Sequence, residues 1–342
     1  MSRALKRKVN RVFEKITRVI MVVVIIVFAI IFVYAQNNVV VNSDYIYESD
    51  RIPKTFTGYK IVQVSDLCND TSMVYNRVSK QDPNLVIVTG NLSDANGKYD
   101  DSVKLVSKLA SKYTTVYVLG ELDEANKTSI QSTLDSSGAI CAENKTFDIE
   151  APSITYDDFV NKYIEKKFVR QSEQGNELAK KYLDYTAQAL TEDAGKNIAI
   201  SGLSLMDDST NFIDRAYSVI NLDRSVFQIL AVNQGQYFPE LSNVDVDIIM
   251  AGNTFGKDSK NIGYKRGIYN LNGTTLFLSG GIGNNPDGSK RLLNFPQVIT
   301  VTLSDGTINN DNPLEKLLGY FISDVSTRFE NDGGFSEYRY DY

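Results

Sequence analysis

From Val19 to Ala35 every residue is apolar or Tyr. At roughly 1.5 Å per residue the run approaches the ~30 Å hydrocarbon layer of a bilayer, which predicts one transmembrane helix. A polar stretch follows from Gln36 to Lys54, and then the period shortens. Lys60-Ile-Val-Gln-Val-Ser65 reads as a buried strand and Thr71 to Lys80 as a short helix. The alternation recurs: strand Leu85 to Thr89, helix Asp101 to Ser111, strand Thr115 to Leu119, helix Thr128 to Leu134. Repeated strand, loop, helix units predict a parallel sheet with helices outside it. Further strands are predicted at Ala142 to Ile149, Asn197 to Leu203, Phe227 to Ala231 and Ile248 to Ala251.

The last third changes character. Gly267 to Leu278 holds two short apolar runs around Asn272-Gly273, a hairpin signal, so antiparallel structure is expected there. Strand Gln297 to Leu303 continues it, and Leu314 to Phe329 has the spacing of an amphipathic helix before an acidic, tyrosine-rich tail. Tyr156 to Asp193 fits no strand. It is rich in Lys, Glu and Gln, with Phe159, Tyr163, Phe168, Leu178, Tyr182 and Leu190 near helical intervals, and reads as two helices hinged at Gly175. Such an insertion serves as a docking arm or lid, or simply packs on the core.

The division expected is a basic N-terminus (1–18), an anchor (19–35), a juxtamembrane linker (36–54), one domain (55–310, with insertion 156–193) and a C-terminal helix and tail (311–342). Seven basic residues, from Arg3 to Arg18, precede the apolar run against Glu14 alone. The positive-inside rule places that end in the cytoplasm, with the domain outside the cell membrane. Val33-Tyr34-Ala35 also suits signal-peptide cleavage, the alternative to an uncleaved anchor. A net charge of -6, with the basic leader included, argues against nucleic acid as a partner. Cys68 and Cys141 suit one disulfide or two core thiols, and the sequence leaves both open.

In an open α/β sheet, ligands bind beyond the carboxyl ends of the strands. The loops there are Ser65-Asp-Leu-Cys-Asn69, Gly90-Asn-Leu-Ser-Asp94, Gly120-Glu-Leu-Asp-Glu124, Val232-Asn-Gln-Gly235 and Gly252-Asn-Thr-Phe-Gly256. Their order resembles the calcineurin-like metallophosphoesterases, most closely the membrane-anchored bacterial branch, from about Ile52 to Leu303. Gly58-Tyr-Lys-Ile-Val-Gln-Val-Ser-Asp66, Gly281-Ile-Gly-Asn284 and Asn294-Phe-Pro-Gln-Val-Ile299 carry the same likeness. The resemblance implies a layered α/β/β/α sandwich preceded by one transmembrane helix. It also implies a two-metal site in which imidazole and carboxylate ligands clamp a phosphate and a hydroxide.

Position by position, the resemblance keeps Asp66 as a ligand aspartate. Cys68 stands where a histidine is expected, Asn91 where the bridging aspartate is, and Glu121 where the ligand asparagine is. Leu122 replaces the catalytic histidine, and Asp123 keeps only that histidine's acidic partner. Asn233, Asn253 and Phe255 occupy three further histidine places, and the chain contains no histidine anywhere. Amide oxygens are weak donors to Zn²⁺ or Mn²⁺, and Leu and Phe donate nothing. The expectation is therefore a pseudoenzyme without a cofactor that binds an envelope protein partner, for instance through the 156–193 arm. Two further readings stand beside it. Asp66, Glu121 and Asp123 could form a remodelled site for one divalent cation (Mn, Mg, Ca or Zn) hydrolysing a phosphorylated lipid or envelope glycan. Alternatively, the Asp and Asn residues simply suit turns after strands. Lys265 and Arg266 could meet an anion near the crevice, or form a solvated loop pair, the commoner case.

Overall fold

The computed structural model describes residues 3–71, 73–151, 193, 195–203, 212–220, 225–255, 264–287, 289, 291 and 294–306. Helix α1 (Arg3–Asn38) comes first. Its side chains from residue 12 to 34 are exposed, and the change comes at Ala35, half-buried, and Gln36, buried. Residues 12–36 are long and apolar enough to cross a bilayer.

Two six-stranded sheets form the body. The first contains β1 (Val41–Glu48), β2 (Lys60–Val64), β3 (Leu85–Thr89), β4 (Thr114–Val118), β5 (Ile140–Cys141) and β12 (Gln297–Ser304), in the order β1-β12-β2-β3-β4-β5. The second contains β6 (Lys145–Glu150), β7 (Asn197–Leu203), β8 (Phe227–Gln234), β9 (Ile248–Gly252), β10 (Gly267–Leu271) and β11 (Thr274–Leu278), in the order β10-β11-β9-β8-β7-β6. Helices α2 (Val74–Gln81), α3 (Asp100–Ala110) and α4 (Lys127–Ser136) cover the first sheet, and α5 (Phe212–Val219) and α6 (Phe238–Leu241) the second.

Strand periodicity sorts the side chains into layers. Ile61, Ile87 and Val116 from one sheet meet Ile229, Met250 and Phe277 from the other in a core between the sheets. Their sequence neighbours Val62, Val86 and Tyr117 turn outward onto α2 to α4, while Leu230 and Ile249 turn onto α5 and α6. Strands buried on both faces must be apolar almost throughout, which is why β3 and β9 read as nearly continuous hydrophobic runs and β8 carries one from Ile229 to Val232. The result is the expected α/β/β/α sandwich with one N-terminal apolar helix.

Three readings change. The 36–54 stretch is no linker: α1 runs to Asn38 and β1 pairs along its whole length with β12. Tyr45 and Tyr47 escape a simple hydrophobicity reading because they are amphipathic, yet their rings pack against Phe277 and Phe227 at 5.7 and 5.8 Å. The strand expected near Ala142 to Ile149 starts three residues later, as β6, after a turn with Asn144 at φ +53° that follows the short strand β5 of the other sheet. Strand β12 does not prolong the hairpin; it crosses to the first sheet and lies between β1 and β2. The hairpin itself forms as expected, with Asn272 and Gly273 at φ +54° and +85°. Most of the 156–193 arm (all but Asp193) and the 311–342 helix and tail lie outside the described residues.

Candidate functional site

Strands β2, β3 and β4 run parallel in one sheet and β8 and β9 in the other, with their carboxyl ends converging at one edge of the sandwich. Gln63, on the face of β2 that meets the second sheet, marks the convergence. Its Nε2 donates to Ala251 O of β9 at 2.8 Å and to Thr89 Oγ1 of β3 at 3.1 Å.

Just beyond lies Asp66, fully buried. Its Oδ1 accepts from Asn91 Nδ2 at 2.9 Å and from the Asn253 backbone N–H at 3.1 Å. Asn91 Nδ2 also donates to Asn253 Oδ1 at 3.2 Å, and Asn91 Oδ1 accepts from the Leu122 N–H at 3.2 Å. Three expected positions, Asp66, Asn91 and Asn253, and the backbone of a fourth, Leu122, thus form one connected network. Gly120 keeps it tight, because a Cβ there would collide with the Asn91 side-chain oxygen.

The other acidic positions are committed elsewhere. Asp123 is the buried residue of a 3-10 turn (Glu121–Asn126) and accepts from the backbone N–H groups of Leu92 at 3.1 Å, Ser93 at 2.7 Å and Gly120 at 3.0 Å. It works as a staple between two strand-end loops. Glu121 is exposed and accepts from Gln234 Nε2. Asp94 Oδ1 accepts the N–H groups of Asn96 and Lys98 in a local turn. Among the described residues no group of three His, Cys, Asp or Glu side chains is placed to hold a metal. The donor set does not fit a dimetal centre: the buried Asp66, a second buried carboxylate taken up by backbone N–H groups, amides bonded to one another, and side chains such as Leu122 and Phe255 that donate nothing.

Electrostatics follow burial. Desolvation raises the Asp66 carboxyl to about 6, against the hydrogen bonds from Asn91 and Asn253 and the field of Arg291. Its second oxygen, Oδ2, has no hydrogen-bond partner. Burial also raises Asp123 and lifts the Cys68 thiol far above its ordinary range, with the Asp66 charge adding to the latter. Cys68 is therefore a thiol rather than a nucleophilic thiolate. Both cysteines are free. Asn233 is 4% exposed, with Nδ2 donating to Thr89 O at 2.9 Å and Oδ1 unpartnered.

Backbone conformation sets these positions apart. Asp66, Cys68, Asn91, Asn253 and Phe255 all have φ between +46° and +63°. Asp and Asn tolerate this region through local hydrogen bonds, whereas Cys and Phe are strained there by about 1–3 kcal/mol each.

The sequence reading missed Arg291. It is 2% exposed, and its guanidinium donates to Gly283 O at 3.1 and 2.6 Å and to Gly280 O at 2.8 Å, clamping the loop that closes over Asp66. Burial lowers it to about 10, opposed by the Asp66 charge. The only sequence signal was a Lys290-Arg291 pair a few residues after a glycine-rich run. Arg266 is half-buried and donates to Phe295 O at 3.3 Å, while Lys265 is exposed.

No family model and no curated protein matches the chain. Among solved structures, a dimetal phosphatase from Danio rerio is similar at a TM-score of 0.30 and 8% identity, with 72% of this chain and 100% of that one covered. A likeness that slight carries no statement about chemistry.

Proposed function

We propose that this chain is a membrane-anchored protein whose phosphoesterase-like α/β/β/α domain stands outside the cytoplasm and works as a binding or scaffold module, not as a dimetal hydrolase. The observation that carries the reading is Asn91. It stands where the resemblance expects a bridging carboxylate, and both ends of its amide are used in bonds to Asp66, Asn253 and the Leu122 N–H. An amide network closed on itself supplies neither a metal bridge nor a means of activating water. The N-terminal charge pattern supports the orientation, and the acidic net charge supports a protein partner over nucleic acid. The 156–193 arm is proposed as the partner's contact, to be tested by photo-crosslinking from that arm in membranes.

A second reading is supported by the unpartnered Oδ2 of Asp66: a buried, bare carboxylate oxygen suits one hard cation. It would make the protein a single-metal hydrolase acting on a phosphorylated lipid or glycan. One experiment separates the two. The full chain, purified in detergent, is measured for metal content by elemental mass spectrometry and for hydrolysis of an aryl phosphodiester with added Mn²⁺. Absence of both is expected. Stoichiometric metal with turnover lost in Asp66→Ala would overturn the scaffold reading.

A further inference from the structure

The strand register fixes which end of the domain meets the anchor. Only Val39 and Val40 separate Asn38, the last residue of α1, from Val41, the first of β1, a span of about 11 Å at most. The joint is held in place. Val39 N–H donates to Ala35 O at 2.8 Å, Val40 is 2% exposed in the layer that contains Leu67, Ile282 and Val298, and Val41 N–H donates to Pro296 O at 2.8 Å. Strand β1 runs parallel to β12, which runs antiparallel to β2, so β1 begins where β2 ends. Val41 lies opposite Gln297, whose N–H donates to Gly281 O at 2.9 Å, and a Cβ on Gly281 would sit 2.7 Å from Asp66 Oδ2. The anchor therefore enters the domain at the crevice end, a few residues from Asp66.

That end is acidic. Asp100, Asp101, Glu121 and Glu124 are exposed and Asp70 and Asp94 half-exposed on the loops and helix starts that follow β2, β3 and β4. Among the described residues Lys98, Lys265 and Arg266 stand against them, while Lys104 is paired with Asp101 at 3.3 Å and Lys127 with Glu143 at 3.2 Å. A rim of this sign is repelled by anionic headgroups and attracted by ammonium groups, within about a Debye length.

We propose that the anchor and β1 set the domain down with its crevice end toward the bilayer, its acidic rim resting on ammonium-bearing lipid headgroups. The inference rests on the membrane-anchor reading above.

The test uses the full chain reconstituted in vesicles, with a fluorescent amino acid placed either at exposed Lys98, on the crevice end, or at exposed Lys112, before β4 at the opposite end. Headgroup-labelled nitroxide lipid serves as the quencher. Quenching at position 98 is expected to exceed that at 112 about threefold in phosphatidylethanolamine vesicles. It should fall toward the 112 level in phosphatidylglycerol vesicles at low salt and recover as salt screens the repulsion. Equal quenching at the two positions would overturn the orientation, and phosphatidylglycerol matching phosphatidylethanolamine at low salt would overturn the headgroup preference. A chain that fails to float with vesicles refutes the anchor itself, a result separate from either.

Discussion

Asp66 carries an unusual sign of pH dependence. Its carboxyl is raised in the folded state to about 6 from an ordinary 3.8, so folding favours the protonated form. Below about pH 4 the group is protonated in both folded and unfolded chains and costs nothing. Between about pH 4 and 6 the unfolded chain ionises first and stability falls, reaching a penalty of at most about 3 kcal/mol above pH 6. A salt-bridged carboxylate would do the opposite. Asp66→Asn keeps an acceptor for Asn91 and Asn253 and replaces the bare Oδ2 by an amide nitrogen. Urea unfolding should show the variant equal to wild type at pH 4 and more stable by up to about 3 kcal/mol at pH 7; a variant less stable at pH 7 would refute this. At Arg291 the expectation is loss. Arg291→Met strands the Gly280 and Gly283 carbonyls and should cost about 3 kcal/mol in the same assay, with Lys unable to restore the forked contacts. A change under about 0.5 kcal/mol would mean the clamp is idle.

Among elements, β1 is the one whose role depends most on its neighbours. Its residues alternate, with Tyr45 and Tyr47 turned to the core and Ile46 59% exposed. Tyr47→Ala should destabilise by about 2 kcal/mol through lost contact with Phe227 and Phe277, whereas Ile46→Lys should change stability by less than about 0.5 kcal/mol. Reversed magnitudes would mean the strand faces the other way. The strands legible from sequence were those buried on both faces, such as β3 and β9, because nothing but continuous apolar character satisfies that environment. Strand β1 stayed hidden because its polar Asn42, Ser43 and Asp44 read as linker, and only β12, more than 250 residues later, supplies its hydrogen bonds.

For the whole molecule, α1 predicts behaviour that a peripheral protein would not show. The full chain should float with lipid vesicles after both high-salt and carbonate washing, because twenty or so exposed apolar residues cannot be held by charge alone. Release by salt would refute a spanning helix. Sequence by itself determined the apolar helix, the repeated βαβ units, the Asn272-Gly273 hairpin and the absence of imidazole from every strand-end loop, since each is written in local pattern or residue type. Tertiary structure alone decided the rest. It showed that β12 crosses between sheets, that Asp123 staples backbone N–H groups, that Arg291 is buried beside Asp66, and that the apolar helix joins the domain at the strand-end edge near Asp66. Those facts depend on which distant segments share a sheet edge, and pairing across hundreds of residues leaves no mark on the residues near either partner.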